Sequence, residues 1–167
     1  MNRASLTAAD VMQVGIKTVL PGLTLPQLEA AFVRDRVTGY PVVDQSKLIG
    51  VVSRSDVIRQ LCTEREVAER VSDFHFDETD FYEVKMESLQ QIADRVGERI
   101  ESLTVADVMN GRPLTVPPHM PINAVAHELI RHRVHRLPVT DHGDLLGLVS
   151  STDLVRLIAD GRLGDAH

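Results

Sequence analysis

Between Thr24 and Val37 the apolar residues Leu25, Leu28, Phe32 and Val33 recur at steps of three and four. That spacing marks one face of an α-helix. Thr24 precedes it as an N-cap, with Pro26 in the first turn, both favoured at a helix start. Tyr40–Val43 and Leu48–Val52 are short apolar runs joined by the polar Asp44–Lys47, which predicts two strands and a hairpin turn. Lys17–Leu20 predicts a further short strand. Thr7 to Met12 reads as a single helical turn, with Thr7 and Asp10 spaced as a capping box,. Ser53 opens a second helix that runs at least to Leu61. The predicted order is helical turn, β, α, β, β, α.

The pattern then recurs 97 positions later. Leu6-Thr7-Ala8-Ala9-Asp10-Val11-Met12 returns as Leu103-Thr104-Val105-Ala106-Asp107-Val108-Met109. Pro41-Val42-Val43-Asp44 returns as Pro138-Val139-Thr140-Asp141. Gly50-Val51-Val52-Ser53-Arg54-Ser55-Asp56 returns as Gly147-Leu148-Val149-Ser150-Ser151-Thr152-Asp153. Without a gap, 21 of 56 aligned pairs are identical. The chain therefore holds two copies of one unit, 1–61 and 103–160, with a different segment, 62–102, between them and a tail, 161–167. A three-stranded sheet with its helices cannot cover both of its own faces. The expectation is an α/β (α+β) fold of two βαββα repeats, packed sheet to sheet with pseudo-two-fold symmetry.

Charge narrows the function classes. The 167 residues carry 18 Lys+Arg against 24 Asp+Glu, a net −6. A nucleic-acid binder should show a basic footprint instead. No apolar run approaches the roughly 18 residues of a membrane span, and the first residues hold no signal-peptide apolar core. A cytoplasmic protein without membrane or nucleic-acid partners is expected. Cys62 is the single cysteine, so no intrachain disulfide and no multi-cysteine zinc site can form. His127, His132 and His135 do not share helical three- or four-residue steps throughout, and no metal is expected there. The intervening segment holds 5 basic and 12 acidic residues, and four of the six aromatics: Phe74, Phe76, Phe81 and Tyr82. It reads as an aromatic-bearing loop between two helical stretches, the second over Met86–Ile100. Its aromatics pack on the repeats, form a surface for a partner or a second copy, or belong to a loop that lies over a cleft and orders when the cleft is occupied.

The ordered set Asp-Val-Met, apolar-Pro-Val-x-Asp and Gly-x-Val-Ser-x-x-Asp, twice in register, resembles a tandem pair of CBS domains, also called a Bateman module. The resemblance covers about two-thirds of the chain. It implies adenosyl ligands in clefts between the two copies, a flat homodimer and regulation of an effector protein. No cofactor is required; AMP, ADP or ATP is expected as a regulatory ligand ahead of S-adenosylmethionine.

Ser53-x-x-Asp56 and Ser150-x-x-Asp153 have capping-box spacing. The resemblance gives the same residues a second role, with the carboxylate on ribose and the serine near phosphate, and the two roles can coexist. The copies differ just upstream, where His135-Arg136 replaces Thr38-Gly39. Arginine suits bidentate phosphate contact, and the pair resembles the phosphate-gripping His-Arg of nucleotide-sensing family members. A basic helix end complementing the helix dipole is the alternative. The stronger expected site comprises Val116, His135, Arg136, Leu137, Ser150, Thr152 and Asp153. The weaker comprises Val19, Tyr40, Ser53 and Asp56. No nucleophile–base pair or glycine-rich phosphate loop marks an enzyme. The other function class is a structural dimerisation module without ligand, with Leu28, Phe32, Val125 and Leu129 as candidate contacts or as core.

Overall fold

A computed structural model describes residues 6–63 and 97–162. The expected aromatic loop, with Phe74, Phe76, Phe81 and Tyr82, and most of the helix expected over Met86–Ile100 lie outside the described residues. The elements run α1 (Ala8–Val11), α2 (Leu25–Asp35), β1 (Gly39–Asp44), β2 (Lys47–Ser53), α3 (residues 54–63), α4 (residues 97–102), α5 (Val105–Val108), α6 (Ile122–His132), β3 (Arg136–Asp141), β4 (Asp144–Ser150) and α7 (Ser151–Ala159). The fold is mixed α/β, with the order helical turn, α, β, β, α realised twice.

Local chemistry explains these boundaries. Thr24 caps α2, with the Gln27 carboxamide oxygen 3.1 Å from its N–H. Arg36 and Arg133 end α2 and α6 in the left-handed region, at φ 52° and 53°, the usual conformation just past a helix C-terminus. The hairpin β3–β4 turns on His142 and Gly143, both at positive φ, as do Gln45 and Ser46 between β1 and β2. Two such residues make the hairpin turn whose twist matches the strands. In β3–β4 Arg136 pairs with Ser150 and Val139 with Gly147, and the register shifts after Val139. Strand order is β1-β2-β4-β3, the join being Lys47 opposite Asp144. The strand expected over Lys17–Leu20 is reduced to one parallel bridge, Val19 to Val42, and Val116 bridges Val139 in the same way. Each extended segment makes one bridge, too little for a ladder.

The described residues form two compact units, and neither follows chain order. One gathers residues within Met1–Thr18, Val43–Gly50 and Arg112–His167; the other gathers residues within Val19–Val42 and Val51–Gly111. Each unit thus holds most of one repeat and the opening turn of the other, and the first also takes the β1–β2 turn of the first repeat. In the first, α1 lies against α6 and β4. The Ala8 N–H donates to the Met120 carbonyl, the Ile122 N–H donates to the Leu6 carbonyl, and Gln13 and Leu148 exchange N–H···O bonds of 2.8 and 3.0 Å. Ala8 completes a core of Val116, Ile122, Val125, Leu129, Leu137, Val139, Val149 and Leu157. In the second, the Val105 N–H donates to the Leu23 carbonyl, and Asn110 and Val51 exchange bonds of 2.9 and 3.1 Å. Val105 is buried there, as are Val19, Leu25, Leu28, Phe32, Tyr40, Val42 and Val52.

One expectation is corrected, and one open alternative is decided. Val33 is 66% exposed and Ala31 is buried in its place, because the inward stripe of α2 is narrower than the apolar stretch. Leu28, Phe32, Val125 and Leu129 are at most 5% exposed; they are core, with no area left for a partner.

Gly147 marks where the segment after α1 presses on β4. A Cβ there would stand 2.5 Å from the Gln13 carbonyl oxygen and 3.0 Å from the Met12 sulfur. Overpacking of this kind costs about 1–3 kcal/mol. Gly147→Ala is expected to lower the thermal midpoint by roughly 2–10 °C at this chain length. Gly22→Ala, which meets open space, should leave it unchanged or slightly raised. Parallel calorimetric scans of the two variants check this.

Candidate ligand site

Strand β4 runs directly into α7, so its last residue, Ser150, becomes the helix N-cap at φ −116° and ψ 160°. The capping box closes around one carboxylate oxygen. Asp153 Oδ2 accepts from the Ser150 N–H at 2.8 Å and from its hydroxyl at 2.6 Å, and the Asp153 N–H reaches Ser150 Oγ at 3.2 Å. The other oxygen, Oδ1, accepts from Gln13 Nε2 at 2.8 Å. Arg156 Nη1 stands farther off, 3.9 Å from Oδ1. Asp153 is 5% exposed. Burial works to raise its pKa, but the Ser150 hydroxyl, the Gln13 amide, the Ser150 N–H and Arg156 outweigh it and hold the carboxyl below its usual value. The group is a carboxylate at neutral pH, acting as an acceptor only.

The start of β3 is tied to this junction. The Ser151 N–H donates to the His135 carbonyl at 3.0 Å, and Arg136 sits opposite Ser150 in the ladder. The His135, Arg136 and Thr152 side chains are exposed. His135, Arg136, Ser150, Thr152 and Asp153 therefore lie around one helix N-terminus, whose dipole favours an anion,. Val116 and Leu137, also expected at this site, are 1% exposed and belong to the hydrophobic core. Val116 is held to β3 through its N–H on the Pro138 carbonyl and its carbonyl under the Thr140 N–H.

The first repeat builds the same box with different surroundings. Asp56 Oδ2 accepts from the Ser53 N–H at 2.8 Å and hydroxyl at 2.6 Å, and the Arg54 N–H donates to the Thr38 carbonyl. Oδ1 here accepts from Arg59 Nη1 at 2.9 Å, within the same helix. Gly39 replaces the arginine of the second repeat, and a Cβ on it would come within 3.1 Å of the Val52 carbonyl. Val19 is buried. Tyr40 turns into the core instead of toward the junction. Its ring stacks on Phe32 at 5.3 Å, and its hydroxyl lies 2.8 Å from both the Ala31 carbonyl and an Asp35 carboxylate oxygen. Burial foremost, with the Asp35 bond, pushes its pKa up to about 12.

Sequence reasoning missed Gln13. It lies 140 positions from Asp153, and no local motif announces it. The one trace is that position 110, its counterpart across the repeat, is also an amide. Among the described residues no group of three His, Cys, Asp or Glu is placed to hold a metal ion, and no helix is long and apolar enough to cross a membrane.

Asp153's depressed pKa makes its stabilisation pH-dependent. It is present above the unfolded value of about 3.9 and is lost as pH falls through the folded value. Asp153→Asn should cost about 1 kcal/mol at pH 7. The gap to wild type should close as the solution is acidified below the folded value, because the wild-type carboxyl is then neutral too. Thermal unfolding of both proteins from pH 7 to pH 2.5 reads this directly; a gap that persists undiminished at the acid end would contradict it.

Comparison with known proteins agrees with this architecture. The CBS domain family model matches residues 8–62 and 105–160. MJ1426, an uncharacterised protein of Methanocaldococcus jannaschii, is 28% identical over 131 residues, 76% of each chain. The chloroplastic CBSX1 of Arabidopsis thaliana is 27% identical over 143 residues, and the chain spans only 58% of its length. The crystal structure of CBSX2 in complex with AMP superposes with a TM-score of 0.67 at 24% identity, over 93% of this chain and 98% of that one. The family model covers both repeats and more than half of the sequence: the chain belongs to the CBS-domain family and carries the domain twice.

Proposed function

We propose that this chain is a regulatory module, and not an enzyme, that binds an adenine nucleotide at the α7 junction of its second repeat. The observation that carries this reading is the pairing of an exposed Arg136 with the capped Ser150, one turn from the Asp153 carboxylate. The arginine and the helix N-terminus suit phosphate, and the carboxylate suits sugar hydroxyls. AMP, ADP and ATP fit this division better than S-adenosylmethionine, whose sulfonium would meet the arginine. CBSX2, crystallised with AMP, supports the same ligand class. The first repeat is the weaker site: Thr38-Gly39 brings no cation, and Arg59 already occupies Asp56. Binding signals to a separate effector protein in the cytoplasm only if two conformations differ in affinity for the nucleotide.

Nucleotide at about a hundred times its dissociation constant should add roughly 2.7 kcal/mol, a rise of about 5–10 °C in thermal midpoint. Arg136→Ala should weaken AMP on the order of 10- to 100-fold, the worth of a charge-assisted bond, and leave adenosine unaffected. Wild type unmoved by AMP, ADP, ATP and S-adenosylmethionine alike would overturn the assignment.

Self-association accompanies this reading, supported by a separate observation. Val33, Ile58 and Leu61 are 66%, 60% and 37% exposed in one unit, and their counterparts Ile130, Val155 and Ile158 are 75%, 62% and 65% exposed in the other. Both repeats keep the same three outward positions apolar, which suits a self-complementary contact between two copies. Val155→Glu should convert a dimer to monomer in sedimentation velocity without loss of helix content. A wild type that sediments as a monomer would refute the dimer.

A further inference from the structure

Hydrogen-bond accounting at Asp153 leaves a specific opening. An ionised carboxylate offers about four acceptor directions. The Ser150 N–H and hydroxyl take both on Oδ2, and Gln13 Nε2 takes one on Oδ1. One remains, whereas a vicinal diol brings two hydroxyls. The second acceptor is at hand on Gln13 itself. Because the carboxylate only accepts, the amide must turn its NH2 toward Asp153 and its oxygen away. That oxygen has no hydrogen bond within the described residues, and Gln13 is exposed. Its backbone is pinned by the reciprocal bonds to Leu148, so the side chain is delivered from a fixed base.

The two repeats separate on this point. Arg59 and Arg156 are counterparts, yet Arg59 bonds Asp56 Oδ1 at 2.9 Å while Arg156 stands 3.9 Å from Asp153 Oδ1. In the second repeat Oδ1 accepts instead from the Gln13 amide, at 2.8 Å. A guanidinium only donates and offers nothing to a hydroxyl proton; an amide both donates and accepts.

We propose that Gln13 and Asp153 together form a diol cradle, in which Asp153 Oδ1 accepts one ribose hydroxyl and Gln13 Oε1 accepts the other. The second-repeat site therefore selects ribonucleotides over deoxyribonucleotides, and it does so with a residue contributed by the opening segment of the first repeat. This rests on the nucleotide reading above and adds the residue that sets sugar specificity.

Calorimetric titration of the full chain with AMP, 2′-deoxyAMP and 3′-deoxyAMP tests it, using wild type and Gln13→Met, which keeps the volume and removes both polar atoms. Wild type should prefer AMP over each deoxy compound by roughly fivefold or more, the worth of one neutral hydrogen bond. Gln13→Met should lose affinity for AMP by a similar factor, and its preference over at least one deoxy compound should collapse toward unity. A merely structural role for Gln13 would weaken all three ligands alike and leave the ratios intact, which overturns the cradle. Tighter AMP binding by Gln13→Met would also overturn it, by making Gln13 a competitor for Asp153. Failure of wild type to bind any of the three would instead remove the nucleotide reading beneath it.

Discussion

Each repeat leaves one side of its core open, and the opening turn of the other repeat closes it. Ala8 and Val105 are both fully buried, each among side chains of the other repeat. Backbone bonds make the exchange specific. Gln13 with Leu148 and Asn110 with Val51 add short bridges to the strand that leads into each capped helix. Apolar burial drives such closure, but the bridges fix its register. Gly147 permits the backbone approach that this register demands, and the Gln13 carboxamide reaches Asp153 as a consequence.

The capping boxes depend on that arrangement in turn. Ser53–Asp56 and Ser150–Asp153 have nearly superimposable internal distances, because the box is a local structure dictated by serine at the N-cap and aspartate three residues on,. Their differences come from outside the box. One carboxylate is satisfied by an arginine of its own helix, the other by a neutral amide from a distant segment. Two motifs of the same spacing thereby acquire different surroundings: one carboxylate bonds an arginine of its own helix at 2.9 Å, and the other bonds an amide at 2.8 Å with its helix's arginine 3.9 Å away.

The same division appears in the charge pattern. The chain is acidic overall, with its acidity gathered between the repeats, while the second repeat places Arg136 next to a helix N-terminus. A cation and a helix dipole in one place attract phosphate.

Much of this was legible in the sequence, for a physical reason. Helix caps, hairpin turns and amphipathic periods are set by neighbours within about four residues, so Thr24, Ser150 and the His142-Gly143 turn stood out directly. The doubled register, which reached both the fold and the family, needed only the 97-residue offset. Val33 and Tyr40 show where local reading stops. Both sit on apolar patterns, yet the packing of α2 turns one outward, while the stack on Phe32 and the buried bonds at its hydroxyl draw the other inward. The tertiary structure alone decided which opening turn closes which core, and therefore that Gln13 meets Asp153. A contact between residues 140 positions apart depends on how distant segments pack, and no local periodicity encodes it.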